Sequence, residues 1–144
     1  MRLVFDTSVM AAAIRNNIGA SQRLLRATLE RQGSIDLPVS VPLLIEYEAV
    51  MTRAEHLTAS RLSVADVGVL LDAVAAVAEP VRLAFLWRPA LPDADDDMVL
   101  EVAVNGQADA IVTFNRRDFA AAEEQFAIAV LSPGAAVKQL EKTS

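Results

Sequence analysis

The sequence has no cysteine and a single histidine, and each scarcity removes a class of functional site. Without cysteine there are no disulfides and no thiolate metal sites, which fits a cytoplasmic protein. With His56 as the only imidazole, multi-histidine metal sites are excluded and histidine-dependent nucleophilic catalysis has little support. Any metal chemistry must therefore use carboxylates, which favour a hard cation such as Mg²⁺ or Mn²⁺.

Long apolar runs and a signal-like N-terminus are also missing. No apolar stretch reaches the roughly 20 residues that span a bilayer. Arg2 is followed by only three apolar residues before Asp6, unlike a signal peptide. We expect no membrane contact and a single domain over residues 1–144, because 144 residues with 53% hydrophobic content can build one core.

The net charge of −6 limits how the protein could meet nucleic acid. Proteins that bind nucleic acid mainly through phosphates are usually basic, so tight unaided binding is not expected. An acidic site that holds a divalent cation can still approach a phosphodiester, because the ion reverses the local charge.

Short apolar runs alternate with amphipathic segments along the whole chain. The amphipathic segments have helical spacing, whereas 52–62 is polar and predicts a connector. This alternation predicts an α/β protein with a mainly parallel sheet covered on both faces. Strands are expected at 3–5, 37–41, 81–86, 110–113 and 126–131.

A carboxylate ends the first predicted strand. Leu3, Val4 and Phe5 form an apolar run that leads directly into Asp6 and the hydroxyl pair 7–8. Ligands of open α/β sheets bind outside the carboxyl ends of the strands, where Asp6 would lie. Asp6 could instead simply cap the following helix.

A second carboxylate lies on the helix predicted after Pro42. Leu43, Val50 and their neighbours form its apolar stripe, and the spacing puts Glu46 on or beside that stripe. Glu48 points roughly the other way. A carboxylate against a core needs a partner or a metal, so Glu46 is a site candidate, with a salt bridge to Arg53 as the alternative.

The densest charge is Asp93-Ala94-Asp95-Asp96-Asp97, at the start of a helix expected over 98–107. One or two acids are favoured at a helix N-terminus, by about 0.3–1 kcal/mol each. Four repel one another unless a cation binds. The helical spacing puts Asp96 at the start of the apolar face, so Asp96 is the first candidate, followed by Asp93 and Asp97.

Polar residues also follow the strand predicted at 110–113. That strand ends in Thr113, and Asn115 and Asp118 come next, separated by Arg116 and Arg117. If the sheet is parallel, these oxygens meet those of Asp6, Glu46 and the acidic run in one pocket. Two or three carboxylates with waters would satisfy Mg²⁺.

This ordered set of motifs resembles the PIN-domain family of metal-dependent ribonucleases over nearly the whole chain. The matching pieces are Val4-Phe5-Asp6-Thr7-Ser8, the 42–48 segment around Glu46, the 93–103 segment around Asp96, and 108–113. The residues in these motifs are most similar to those of the VapC-like toxins of toxin–antitoxin pairs.

The resemblance implies a three-layer α/β/α sandwich with a five-stranded parallel sheet, and cleavage of single-stranded RNA with Mg²⁺ or Mn²⁺. It implies a cognate antitoxin protein and a homodimer as partners. Many members have Asp where this chain has Asn115, and Asp118 matches a variant of that pattern. The implied metal ligands are Asp6, Glu46, Asp96, Asp93 and Asp97, and the implied catalytic groups are Asp6, Glu46, Asp96, Asn115 and Asp118. The hydroxyls of Thr7, Ser8 and Thr113 would hold the carboxylates in place. Possible contacts to the substrate are Arg116 and Arg117.

Three other functions are alternatives to this one. A catalytically silent PIN-like interaction module would use the same fold. A receiver-type signalling domain needs adjacent acids after strand one and a late lysine, but Asp6 stands alone and the first lysine is Lys138. A phosphatase with an Asp-x-Asp nucleophile is excluded because position 8 is Ser8.

Overall fold

The computed structural model describes residues 1–15, 19–30, 35–84 and 94–143. The described residues form five short strands, and all their pairings are parallel, as the alternating pattern predicts. The sequence-based prediction of an α/β fold with a parallel sheet is therefore confirmed. The strands are β1 Leu3–Phe5, β2 Pro38–Val39, β3 Glu79–Pro80, β4 Ala110–Val112 and β5 Ala129–Leu131.

Helices connect successive strands. The described residues form a 3₁₀ helix at Arg116–Phe119 and these α-helices: α1 Thr7–Arg15, α2 Ala20–Leu29, α3 Val41–Met51, α4 Ala54–Ser60, α5 Val64–Val77, α6 Ala94–Asn105, α7 Ala120–Phe126 and α8 Pro133–Thr143. No helix in this part of the chain is long and apolar enough to cross a membrane.

The sheet is built in two pieces. The strands β1, β4 and β5 pair in the order β1-β4-β5, and β2 pairs with β3. One parallel bridge between Arg2 and Asp36 joins the pieces, with the Leu3 amide donating to the Asp36 carbonyl at 3.0 Å. The combined strand order is therefore 3-2-1-4-5, with the direction of winding reversed between β1 and β4.

The reversal of the winding direction also places helices on both faces of the sheet. Parallel crossovers are almost always right-handed, so opposite winding directions place helices on opposite faces of a sheet. The helices α1, α2, α3 and α5 contact one another, whereas α6 packs on β1, β2 and β4. The arrangement gives the three-layer α/β/α architecture.

The central strands are apolar because both faces are covered. Leu3, Val4 and Phe5 have no exposed surface, and neither do Ile111 and Val112. Burying one such side chain contributes about 1.5–3 kcal/mol. Unbroken apolar runs, rather than alternating ones, are the expected pattern for such strands.

Two helices begin at side-chain caps. Ser40 caps α3 through its side chain, which accepts from the Leu43 amide at 3.2 Å. Ser63 and Asp66 form a reciprocal capping box at the start of α5. Both caps are local interactions, because the cap and its partner lie within three residues of each other.

Several predicted boundaries were wrong. The second strand is Pro38–Val39 rather than 37–41, and the fifth begins at Ala129 rather than at 126. The predicted connector at 52–62 contains the helix α4, whose residues are all exposed or half-buried, so its apolar signal is weak. The third strand is Glu79–Pro80 rather than 81–86; residues 81–84 are irregular, and 85–86 lie outside the described residues. The helix α6 begins at Ala94 instead of 98.

Candidate functional site

The reversal of strand order between β1 and β4 creates the crevice in which open α/β sheets bind ligands. Each of the two strands is followed by a polar residue at this edge: Asp6 after β1 and Thr113 after β4. The Asp6 amide donates to the Val112 carbonyl at 2.9 Å, which fixes the two strand ends side by side. The topology therefore places Asp6 at the centre of the candidate site.

The Asp6 carboxylate is held by hydroxyl groups. Only 4% of Asp6 is exposed. Its Oδ2 accepts from Thr113 Oγ1 at 2.7 Å and from Ser8 Oγ at 3.0 Å, while Thr7 Oγ1 lies 3.5 Å from Oδ1. The predicted grouping of Asp6 with Thr7, Ser8 and Thr113 is thus present in the structure. Since each hydroxyl can point its hydrogen at the carboxylate, a buried charge is tolerated here.

Thr113 extends the same network to the segment after β4. The side chain is fully buried, and its Oγ1 also accepts from the Asn115 amide at 3.0 Å. Thr113 therefore links the Asp6 carboxylate to the loop that leads into the 3₁₀ helix. The side chain of Asn115 is exposed at the end of this chain of bonds.

Tyr47 fixes the end of β1 from the other side. Its hydroxyl donates to the main-chain carbonyl of Phe5 at 2.5 Å, next to Asp6 in the chain. Burial, and then the negative charge of Asp6, raises the pKa of Tyr47 far above its usual value. The phenol therefore stays protonated and remains a donor. Sequence reasoning counted Tyr47 only as part of the apolar stripe.

The two glutamates of α3 lie as its periodicity predicts. Glu46 is half-buried and Glu48 is exposed. Among the described residues, no ion pair joins Glu46 to Arg53, so the proposed salt-bridge alternative is not found. Glu46 occupies the neighbouring position to Tyr47, whose side chain reaches the end of β1.

The acidic run at the start of α6 is divided by burial. Asp97 is fully buried and Asp96 is half-buried. Glu101, four residues after Asp97, is also fully buried. Asp93 and the side chain of Asp95 lie outside what the structure describes.

Glu101 was missed by sequence reasoning, although a signal for it is present. A single carboxylate interrupts the apolar run Val99-Leu100-Glu101-Val102-Ala103, and its flanking residues are all fully buried. Because Asp97 and Glu101 are one helical turn apart, both lie on one side of α6. The buried acidic face of α6 is therefore larger than predicted.

The residues after β4 form the 3₁₀ helix. Asp118 is half-buried, and its amide donates to the Asn115 carbonyl at 3.0 Å. Arg116 and Arg117 are exposed, but Arg116 Nε donates to the Val130 carbonyl at 3.1 Å. Arg116 is thus directed toward β5, while no comparable bond from Arg117 is found to the part of the chain that the structure describes.

A cavity of about 320 Å³ opens beside the Asp6 network. It contains the hydroxyl residues Thr7 and Ser8, and His56, which is half-buried rather than exposed in a loop. Sequence reasoning missed this cavity, because its walls come from α1, α3, α4 and the segment after β4. Its described lining residues are Thr7, Ser8, Ala11, Ala12, Arg15, Val50, Arg53, His56 and Phe114.

The protein is therefore an α/β protein with a buried carboxylate, Asp6, where the strand order of its parallel sheet reverses. This place, the switch point of the sheet, is where such folds bind ligands. A family model for the PIN domain matches residues 2–117. The chain therefore belongs to the PIN domain family, as its motifs indicated. A comparison with curated proteins gives no match. PIN domains are generally nucleases, which supports a hydrolase acting on nucleic acid.

PIN domain nucleases generally use divalent metals, and the side chains of the site fit such an ion in their donor chemistry. The acidic side chains supply carboxylate oxygens, which are the donors that Mg²⁺ and Mn²⁺ prefer. Within the described residues, however, no three acidic or histidine side chains form a group that could hold a metal. The described geometry therefore allows an ion on one or two carboxylates and waters, and defines no complete protein cage.

Proposed function

We propose that the protein is an endoribonuclease that cleaves single-stranded RNA with Mg²⁺ or Mn²⁺. The observation that carries the proposal is the Asp6 carboxylate in a PIN domain. It lies at the switch point of the sheet, 4% exposed, with hydroxyls 2.7 and 3.0 Å from one oxygen. Such an arrangement holds a negative charge in one orientation where a ligand enters.

The roles that we propose for the residues rest on the sequence motifs and on the position of Asp6. Asp6 would hold the ion together with Asp96, with Glu46, Asp97 and Asp93 as further candidate ligands. When bound, a divalent ion lowers the pKa of a water molecule and stabilises negative charge on the phosphoryl group. Ser8 and Thr113 would keep the Asp6 oxygens in place by donating to Oδ2.

Proton transfer would fall to a carboxylate. His56 lines the neighbouring cavity but makes no hydrogen bond to Asp6. Asn115 and Asp118 follow β4, whose end lies next to Asp6, and a carboxylate such as Asp118 is a suitable proton acceptor. Arg117 is the better candidate for a phosphate contact, because Arg116 Nε is bonded to the Val130 carbonyl.

The cellular role that we propose is the toxin of a toxin–antitoxin pair, as the VapC-like motifs suggest. The antitoxin would cover the acidic pocket, and the net charge of −6 is compatible with a basic partner segment. A homodimer and a cytoplasmic location belong to the same proposal. The absence of cysteine is compatible with a reducing compartment.

Cleavage of labelled single-stranded RNA by the pure protein tests the activity, with Mn²⁺ or Mg²⁺ compared with EDTA. Asp6→Asn should abolish metal-dependent cleavage, by at least about 100-fold, because one ligand loses its charge while its shape is kept. Glu48→Gln is the matched control, since Glu48 is exposed on α3, and it should be nearly silent. Equal activity in wild type and Asp6→Asn contradicts the assignment.

A catalytically silent interaction module is the second candidate. The observation that favours it is that the described residues contain no group of three potential metal ligands. A folded protein that binds Mn²⁺ without cleaving RNA would support this candidate, whereas cleavage that depends on Asp6 excludes it.

A further inference from the structure

The cavity beside Asp6 is basic in a protein that is acidic overall. Arg15, Arg53 and His56 all line it, although the chain carries 13 basic residues against 19 acidic ones. No acidic residue is found among its described lining residues. A local excess of positive charge next to a carboxylate centre favours an anionic ligand.

The tertiary structure brings these basic groups together from distant parts of the chain. Arg15 ends α1, whereas Arg53 and His56 lie at the start of α4, and Arg15 Nη1 is 3.4 Å from His56 Nδ1. Glu55 lies 3.8 Å from His56 Nε2, but its side chain is 68% exposed and outside the cavity lining. Among the described residues no ion pair is formed by Arg15 or Arg53, so both guanidinium groups can contact an anion.

An exposed aromatic ring completes the cavity. Phe114 is 56% exposed and follows directly after Thr113, which donates to the Asp6 carboxylate. Single exposed apolar side chains are common on protein surfaces, but an exposed ring beside basic groups matches single-strand binding proteins, in which such rings stack on bases. Arginines together with an exposed ring are a combination that binds single-stranded nucleic acid.

The cavity is also directly connected to the proposed reaction centre. Thr7 and Ser8 line the cavity, and their hydroxyls contact the Asp6 carboxylate. A strand bound in the cavity would therefore pass within one residue of the carboxylate. The neighbouring nucleotide of the same strand could then place its phosphodiester at Asp6.

We infer that this cavity binds the RNA strand next to the cleaved phosphodiester. Arg15 and Arg53 contact phosphate groups, and Phe114 stacks on a base. The inference rests on the proposed function, because it takes single-stranded RNA as the substrate. It explains how an acidic protein gains affinity for a polyanion beyond the metal site.

The test measures RNA binding in EDTA, where the acidic centre contributes no metal. A short fluorescently labelled single-stranded RNA is titrated with wild type, Arg15→Ala, Arg53→Ala and Phe114→Ala at several salt concentrations. Each arginine variant should reduce the slope of log affinity against log salt by about 0.7. Phe114→Ala should weaken binding by about fivefold or more and leave the slope unchanged.

Controls separate this cavity from general charge effects. Arg26→Ala removes an exposed arginine that lines a different cavity, and it should bind RNA like wild type. An abasic version of the oligonucleotide should bind wild type and Phe114→Ala equally, because it offers no base to stack. Thermal unfolding checks that the surface variants remain folded.

The outcomes distinguish the two proposals. Loss of binding in the cavity variants but not in Arg26→Ala supports the subsite, even if metal-dependent cleavage is never seen and the nuclease proposal fails. Unchanged binding in all three cavity variants overturns the subsite, even if the protein cleaves RNA through Asp6. Failure of wild type to bind RNA in EDTA also overturns it. Equal competition by oligoglutamate of matched charge would mean a general anion site and contradict the RNA assignment.

Discussion

The hydroxyl of Thr113 lies 2.7 Å from Asp6 Oδ2 and joins the ends of two neighbouring parallel strands. The residues are 107 positions apart in the chain, and both side chains are buried. Because Thr113 Oγ1 also accepts from the Asn115 amide, this hydroxyl determines how the carboxylate and the following loop are oriented. The carboxylate at the switch point is therefore positioned by the second strand as much as by its own.

Thr113→Val removes the hydroxyl and keeps the shape of the side chain. We expect the free energy of unfolding to fall by about 1–3 kcal/mol, because a buried carboxylate loses one of its donors. Cleavage should fall as well, since Asp6 is no longer held in one orientation. Thr113→Ser should restore most of both properties. Urea denaturation and RNA cleavage measure the two effects.

The matched control is Thr58→Val on the exposed face of α4, which should change stability by less than about 0.5 kcal/mol. If Thr113→Val is as stable and active as wild type, then the hydroxyl does not position Asp6.

Asp96 and Asp97 are adjacent, but their burial predicts different effects. Asp96 is half-buried, so Asp96→Asn should abolish cleavage with little effect on stability, or a small gain from relieved repulsion. Asp97 is fully buried, so Asp97→Asn should lower the free energy of unfolding by about 1–3 kcal/mol. Denaturation and cleavage assays on both variants show which aspartate is the metal ligand. If Asp96→Asn is fully active while Asp97→Asn is stable but inactive, Asp97 rather than Asp96 is the ligand.

Glu79 should contribute to the loss of stability in acid. Hydrogen bonds from Arg2, at 2.5 and 2.8 Å, lower the pKa of Glu79 from its usual value of 4.5. A carboxyl group with a lower pKa in the folded state stabilises the protein above its unfolded pKa. That contribution disappears as the pH falls through the folded pKa.

Glu79→Gln should therefore reduce stability at pH 7 but not at pH values well below 4.5, where the two proteins become equal. The difference should be below about 1 kcal/mol, because 47% of the Glu79 side chain is exposed and solvent screens the pair. Denaturation at a series of pH values measures it, with Glu124→Gln on the exposed face of α7 as the control. A pH-independent difference would exclude this linkage.

Glu123 should protect the edge strand β5 from pairing with other molecules. Its Oε1 accepts from the Val130 amide at 3.2 Å, and Arg116 Nε donates to the Val130 carbonyl at 3.1 Å. Exposed strand edges with free main-chain groups favour aggregation. Glu123→Ala should therefore aggregate faster on mild heating, as measured by light scattering. Glu124→Ala, its neighbour on α7, removes the same charge and should behave like wild type.

Local patterns predicted the parts of the fold whose determinants are close together in the sequence. The buried strands β1 and β4 depend on a few adjacent residues, so they were predicted correctly, whereas Ser40, which caps α3, was assigned to the predicted strand at 37–41. The helix α4 and the strand β3 were not predicted correctly, because α4 has no fully buried residue and β3 pairs over only two residues with β2. Such elements are defined by what packs against them.

The sequence by itself determined the α/β class, the PIN domain motifs and the position of Asp6 at a strand end. Tertiary structure decided which acids are buried on α6, that Thr113 holds Asp6, and that Arg15, Arg53 and Phe114 share one cavity. The physical reason is the range of the interactions. Apolar runs and caps act over a few residues, whereas hydrogen bonds and cavities depend on side chains that only the folded sheet brings together.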